Sequence, residues 1–286
     1  MDILRFRAFT TETGGSVSGN PAGVVLHAET LDDAGMLAIA AGLGYSETAF
    51  LTSITPGSAR VRYFTPRAEI AFCGHATIAS GVALARSSSG SEPLVVFTTN
   101  VGEVPVEVSP QRATLTAVTT TVAPLDDALL DELLAALRLD RSDLDLALPA
   151  AFIRGGNPHP LVAVREGVLS RLDHDADAVL VLQDREGWDG TVPVVQRIDA
   201  THFLSRNPFP RGGIREDPAT GSAAAGLGAY LRAGQHVETP ATLTVDQGAE
   251  IGRPSQLLVE VPASGRVRVS GGVEAVLEPL LSDAHR

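Results

Sequence analysis

Two segments of this chain are long enough to be helices and carry no formal charge. Residues 70–85 read IAFCGHATIASGVALA, counting His75 as neutral, and residues 218–231 read PATGSAAAGLGAYL directly after Asp217. The whole chain holds 34 acidic and 22 basic residues, so the exclusion of charge is local. A helix that is apolar all round has no wet face and must be buried on every side. Small residues in the second segment (Ala223, Ala224, Ala225, Gly226, Gly228) allow close approach of neighbouring backbone. The natural host is a strongly curved sheet wrapped around a central helix, once for each segment. A helix sandwiched in an α/β layer is the alternative that the pattern leaves open.

The two segments stand half a chain apart. Aligning Ala76-Thr77 with Ala219-Thr220 gives an offset of 143 in 286 residues. GNPAGVV from Gly19 and GNPHPLVAV from Gly156 are 137 apart, and YFTPRAEI from Tyr63 and HFLSRNPF from His202 are 139 apart. Three matches in one order predict a duplication, with halves at 1–121 and 122–286 and the last strand free to return to the first half. Alternating or β-branched runs at 3–9, 49–52, 60–64, 161–164, 178–182 and 192–197 read as strands. One helix is expected after Thr30, three residues before Asp33 in a capping-box spacing, and another over 129–137 with Asp131 and Glu132 on its wet side. Segments 86–93 and 174–178 read as surface loops, and 119–127 as the connection between halves.

Composition removes several functions. A net charge of −12 argues against nucleic acid as a partner. All 22 basic residues are arginines, and a chain without lysine has neither a pyridoxal Schiff base nor a P-loop. The seven histidines show no HExxH or paired-cysteine spacing, so no metal site is expected. GLGAYL at 226–231 lacks the third glycine of a dinucleotide fingerprint, so no cofactor is expected either. The single cysteine, Cys73, fits a reducing compartment. The opening MDILRFRAFTT has no apolar signal region, and residues 218–231 fall short of the ~18 needed to span a bilayer. The expectation is a cytoplasmic protein without a membrane partner.

A buried helix still presents free N–H groups and roughly half a positive charge at its N-terminus. Cys73, Gly74 and His75 lie at one such mouth; Asp217, Ala219, Thr220, Gly221 and Ser222 lie at the other. If the halves face each other about a pseudo-twofold axis, both mouths open into one cleft. That cleft would hold a carboxylate and stabilise an enolate or carbanion.

GNPAGVV, SETAFL, RYFTP, CGHAT, EDPATGSAA and QGAEIGRPSQL together resemble the PhzF-like family, named for the phenazine biosynthesis isomerase, from about residue 3 to about 274. The resemblance implies an α+β, diaminopimelate-epimerase-like fold: two pseudo-equivalent β-barrel-like sheets, each wrapped around a central helix, with the site between them. It implies a cofactor-independent isomerase that forms homodimers. It matches Glu47 to the family's acid/base glutamate and places His75 and Asp217 beside it as catalytic groups. Asn20, Gly74, Gly221 and Ser222 match positions that bind substrate.

Glu47, next to Ala49 and Phe50, has the apolar setting that lifts a carboxyl pKa toward operating pH. It would take a proton from a small carboxylate-bearing substrate and return it elsewhere, a double-bond migration. Cys73 supports a rival reading, a one-thiol epimerase or dehydratase, with its thiol pKa lowered by the helix N-terminus. A symmetric two-thiol racemase is excluded by the cysteine count. A third reading keeps the fold as a non-catalytic small-ligand binder.

Overall fold

The computed structural model describes residues 2–11, 15–87, 93–109 and 111–276. In chain order the first half contains β1 (Asp2–Thr10), β2 (Asn20–Leu26), α1 (Asp33–Leu43), β3 (Glu47–Thr55), β4 (Ser58–Phe64), β5 (Glu69–Ile70), α2 (Gly74–Ser87), β6 (Leu94–Thr99), β7 (Gly102–Ser109) and β8 (Arg112–Thr116). There follow β9 (Thr121–Pro124), α3 (Asp127–Leu137), β10 (Ala151–Gly155), β11 (Asn157–Val164), α4 (Ala176–Glu186), β12 (Val194–Arg197) and β13 (His202–Arg206). The chain closes with α5 (Gly221–Ala233), β14 (Ala241–Gln247), β15 (Ser255–Val261) and β16 (Arg268–Ala275).

The pairing pattern repeats. From β1 to β8 the contacts run antiparallel (β1–β2), parallel (β2–β3), antiparallel (β3–β4), parallel (β4–β6), then antiparallel through β7 and β8. From β10 to β16 the same series recurs through β11, β12, β13, β14 and β15. β16 pairs with β15 and β8 and, through its C-terminal end, with β1. It thereby closes β1, β2, β3, β4, β6, β7 and β8 into an eight-strand barrel. The second sheet curves from β16 to β9.

Each sheet holds one of the charge-free helices. Every residue of α2 from Gly74 to Leu84 is buried, and every residue of α5 from Gly221 to Leu231. Charge in either rod would be stranded away from water at a cost of several kcal/mol, on the order of the desolvation of an ion. The curved-sheet arrangement is therefore the one adopted, and the α/β layer is not. No helix among the described residues is long and apolar enough to cross a membrane.

Several local expectations change. The run at 178–182 is helical, inside α4: Val179, Leu182 and Gln183 are buried while Val181 is 63% exposed, a helical face and not a strand alternation. The 174–178 loop ends at Asp175, whose side chain accepts from Ala178 N and caps that helix. α1 is capped by Asp32, which accepts from Gly35 N, in place of Thr30. The 119–127 connection contains β9, and 121, the expected division, is its first residue. Of the 86–93 loop, Arg86 and Ser87 still belong to α2, and 88–92 lie outside the described residues.

The repeat itself holds in a different register. α2 and α5 begin at Gly74 and Gly221, so CGH aligns with TGS and not Ala76-Thr77 with Ala219-Thr220. Phe64 faces Thr48 in β3–β4, and Pro208 bonds Val192 N at the corresponding step, so TPRAEI at 65–70 matches FPRGGI at 209–214. The GNP match stands: Gly19 and Gly156 are both left-handed, at φ 82° and 94°, a conformation that glycine adopts without strain.

Candidate active site

The two helix mouths meet. A Cβ on Gly74 would lie 3.0 Å from Gly221 Cα, and one on Gly221 would lie 3.3 Å from Gly74 Cα. Only glycine at both positions permits that approach. Around the junction is a small cavity of about 20 Å³, whose lining includes Glu47, Cys73, Gly74, His75, Asp217, Gly221 and Ser222. Each half also reaches across to the other. Asn20 Nδ2 donates to Ala219 O at 3.1 Å, and Asn157 Nδ2 donates to Phe72 O at 2.8 Å. Those carbonyls stand at matching places, each two residues before its helix.

Asp217 is held on both oxygens. Asn20 Nδ2 donates to Oδ1 at 2.7 Å and Thr220 Oγ1 to Oδ2 at 2.5 Å. Gln247 Nε2 secures the turn by donating to Asp217 O at 2.6 Å and Thr220 Oγ1 at 3.1 Å. Just upstream, the buried Arg206–Glu216 pair anchors the approach to Asp217, with Arg206 also donating to the Leu169 and Leu172 carbonyls. Asn20 accepts from Ser46 Oγ at 3.2 Å, so its amide is committed within the protein. It positions Asp217, and it is not among the residues that line the cavity.

Glu47, at the start of β3, is 4% exposed, and its Oε2 has no hydrogen-bond partner. The nearest ring atom, His75 Nε2, is 3.5 Å away. Burial, and then the charge of Asp217, push the Glu47 pKa well above the usual carboxylate range. Burial raises Asp217 as well, against the two hydrogen bonds that favour its anion. Two buried carboxylates that share a site do not both ionise. Asp217 has donors on both oxygens and Glu47 has one oxygen bare, so the proton resides on Glu47.

His75 is neutral: burial pushes its pKa down to about 3, opposed by a hydrogen bond to the Pro21 backbone. Asn20 Nδ2 lies 3.1 Å from its Nδ1. Cys73 differs from expectation. Its thiol pKa is raised, first by burial and then by Glu47, although backbone hydrogen bonds from Ala76 and His75 act to lower it. The sulfur thus sits as a protonated N-cap, with the helix-end effect outweighed.

Ser222 is expected among the substrate-binding residues, and its hydroxyl proton is already engaged. His159 Nδ1 lies 3.0 Å from Thr191 O, which can only accept, so Nε2 is the bare nitrogen and takes the Ser222 proton at 2.9 Å. Ser222 therefore turns lone pairs to the cavity. α5 has no side-chain cap, which leaves the backbone at Gly221 and Ser222 as the donor surface. His159, Asn157, Thr191, Gln247 and Ser46 were missed as site residues. Asn157 left a signal as the second GNP asparagine; its Oδ1 is buried without a partner and the residue lines the cavity.

The family described as phenazine biosynthesis-like protein, PhzC-PhzF, matches residues 6–278. The uncharacterised isomerase YddE of Salmonella typhimurium is 33% identical over 225 residues, 77% of this chain and 76% of the relative. The trans-2,3-dihydro-3-hydroxyanthranilate isomerase of Pseudomonas aeruginosa is 30% identical over 283 residues, 95% of both chains. Among solved structures, a PhzF-family phenazine biosynthesis protein of Bacillus anthracis aligns with TM-score 0.81 at 25% identity over 96% of both chains. A hydroxyproline epimerase from Agrobacterium vitis shares the fold, with TM-score 0.63 at 16% identity over 97% of this chain and 93% of that one.

Proposed function

The chain belongs to the phenazine biosynthesis-like PhzC-PhzF family, and on that footing we propose that it is a cofactor-independent isomerase that moves a proton on a small carboxylate-bearing substrate, with Glu47 as the acid/base. The observation that carries this reading is the bare Oε2 of Glu47, buried at the junction of two helix N-termini. An orphaned oxygen costs about 1–3 kcal/mol and is retained where a ligand satisfies it.

The substrate carboxylate lies against the backbone N–H groups at Gly74, Gly221 and Ser222, where the helix ends also favour the negative charge of an enolate. Asp217, fixed by Asn20 and Thr220, faces the same space as the residual anion. It orients a donor on the substrate and, by its charge, keeps Glu47 basic enough to exchange protons near neutral pH. Glu47 gives its proton to one carbon and recovers one from another, so the double bond migrates and the enzyme is unchanged. His75, neutral and beside Glu47, shapes the pocket wall and carries no charge through the cycle.

The thiol reading is the weaker one here. A one-thiol epimerase needs a thiolate, and Cys73 is buried with its pKa raised. The non-catalytic reading gives no reason to maintain a protonated buried glutamate beside a second carboxylate. The test is turnover of trans-2,3-dihydro-3-hydroxyanthranilate and related small cyclic acids in D2O. The wild type should shift the double bond with deuterium entering at the new C–H position, and Glu47→Gln should lose at least ~100-fold in rate. Full turnover by Glu47→Gln would end this assignment.

A further inference from the structure

Glu47, Cys73 and His75 do more than line one cavity. A carboxylate oxygen, the sulfur and an imidazole nitrogen all lie within 4.8 Å of one another. The two ring nitrogens of His75 are 3.2 and 3.9 Å from Cys73 Sγ, and Nε2 is 3.5 Å from Glu47 Oε2. Tetrahedral zinc, with bonds of ~2.0–2.1 Å to nitrogen or oxygen and ~2.3 Å to sulfur, puts neighbouring N and S atoms about 3.6 Å apart and N and O about 3.4 Å apart. Through Nε2, the nitrogen that faces both partners, the observed edges are 3.9 Å to sulfur and 3.5 Å to oxygen, each within a few tenths of an ångström of those lengths. We propose that these three side chains form a binding site for a borderline-soft divalent cation, zinc above all, and that the bound ion silences the isomerase site by occupying the Glu47 carboxylate.

Two further features point to a ligand. Glu47 Oε2 is a buried acceptor with no partner in the protein. Ser46 Oγ lies 3.4 Å from His75 Nε2 but gives its proton to Asn20 Oδ1, so it does not occupy the Nε2 lone pair. Thiolate and imidazole select zinc, cobalt or copper(I) over magnesium or calcium. All three side chains line the one cavity, and three protein ligands with one open position is the pattern of zinc centres that exchange ligands. Binding is a proton exchange. The thiol S–H and the Glu47 O–H bonds break, two protons leave to solvent, and Zn–S and Zn–O bonds form, so the positive charge of the ion is neutralised by two new anions. No redox step is involved. The expectation of no metal site rested on local spacing, and the third ligand comes from another strand 26 residues before Cys73.

The inhibitory part of this inference rests on the acid/base reading of Glu47; the binding part does not. The experiment adds Co2+ to the metal-stripped full-length protein and follows its spectrum. One equivalent should produce a near-ultraviolet sulfur-to-cobalt charge-transfer band with the intense visible bands of a four-coordinate ion, and one equivalent of Zn2+ should abolish both. Cys73→Ser should lose the sulfur band, and Glu47→Gln should weaken affinity at least ~100-fold while circular dichroism shows both variants folded. Apparent affinity should rise with pH, by up to ~100-fold per pH unit where both protons are released. Absence of a sulfur band in the wild type, or its survival in Cys73→Ser, overturns the site. Tight zinc binding with undiminished turnover leaves the site standing and overturns the role of Glu47.

Discussion

Replacing Glu47 with Gln keeps the shape of the side chain and deletes a buried acid. In the folded protein, burial and the Asp217 charge raise the Glu47 pKa from 4.5 to about 8. The folded state therefore holds this proton more tightly than the unfolded chain does. Below pH ~4.5 both states are protonated and the residue behaves like a glutamine. As pH climbs from there toward about 8, the unfolded chain ionises first and stability falls; above about 8 the folded state ionises too and the loss levels off. A gap of roughly 3.5 pH units at ~1.4 kcal/mol per unit sets a ceiling of about 5 kcal/mol. Asp217 titrates in the same window, and relaxation around a buried charge lowers the figure further, so ~2–4 kcal/mol is the working value. Glu47→Gln should match the wild type within ~1 kcal/mol at pH 5 and exceed its stability by ~2–4 kcal/mol at pH 9. Urea unfolding followed by fluorescence of the one tryptophan, the buried Trp188, reads this directly. A difference that does not grow with pH would refute the reasoning, because it would mean that Glu47 is ionised in the fold at pH 5.

Gly74→Ala should destabilise by ~1–3 kcal/mol even though alanine is the better helix former by ~1 kcal/mol, since the new Cβ meets Gly221 Cα at 3.0 Å and backbone cannot swing aside; a thermal melt showing stabilisation would mean the helix ends are not in contact. Arg206→Met should cost ~3–5 kcal/mol by leaving Glu216 buried and uncompensated next to Asp217. The double variant Arg206→Met/Glu216→Leu should recover most of that in urea titrations, and failure to recover would assign the loss to the Leu169 and Leu172 carbonyls instead.

The architecture was legible because charge exclusion over a helix length has few structural solutions. Residues 70–85 and 218–231 forced two enclosed helices, and enclosure forced curved sheets. Secondary structure was less legible where composition misleads: AVLVL at 178–182 has β-branched residues yet lies in α4, since an Asp175 cap and a buried face at Val179 and Leu182 decide the matter. The duplication was visible, but dipeptide matching set it four residues out at the helices. Glu47, Cys73, His75 and Asp217 converge because they flank the helix mouths, which local sequence marks. The hydrogen-bond assignments were not legible. That Asn20 serves Asp217 and that Ser222 gives its proton to His159 depend on which acceptors surround them in space, and those come from segments up to 199 residues apart.

On the acid/base reading proposed for Glu47, the duplicated frame accounts for a one-sided chemistry. Ala22 lies opposite Glu47 across β2–β3. In the second half Val162 lies opposite Val194, which carries back along both strands to His159 opposite Thr191. The position of Glu47 is thus held by Thr191, that of His75 by Ser222, and that of Cys73 by Thr220. The first half keeps groups that exchange or hold protons, and the second has alcohols with a histidine locked to a carbonyl. Two equivalent bases on opposite faces would suit inversion at a single carbon, where one face loses a proton and the other gains it. One buried carboxyl beside an anchored anion suits removal and return on the same face at different carbons. Placing a base at the second position, by Thr191→Glu, would put a third carboxylate against His159 and Ser222 in a site that already holds one proton for two acids. The geometry that would permit the proposed shuttle on one side therefore disfavours its mirror image on the other.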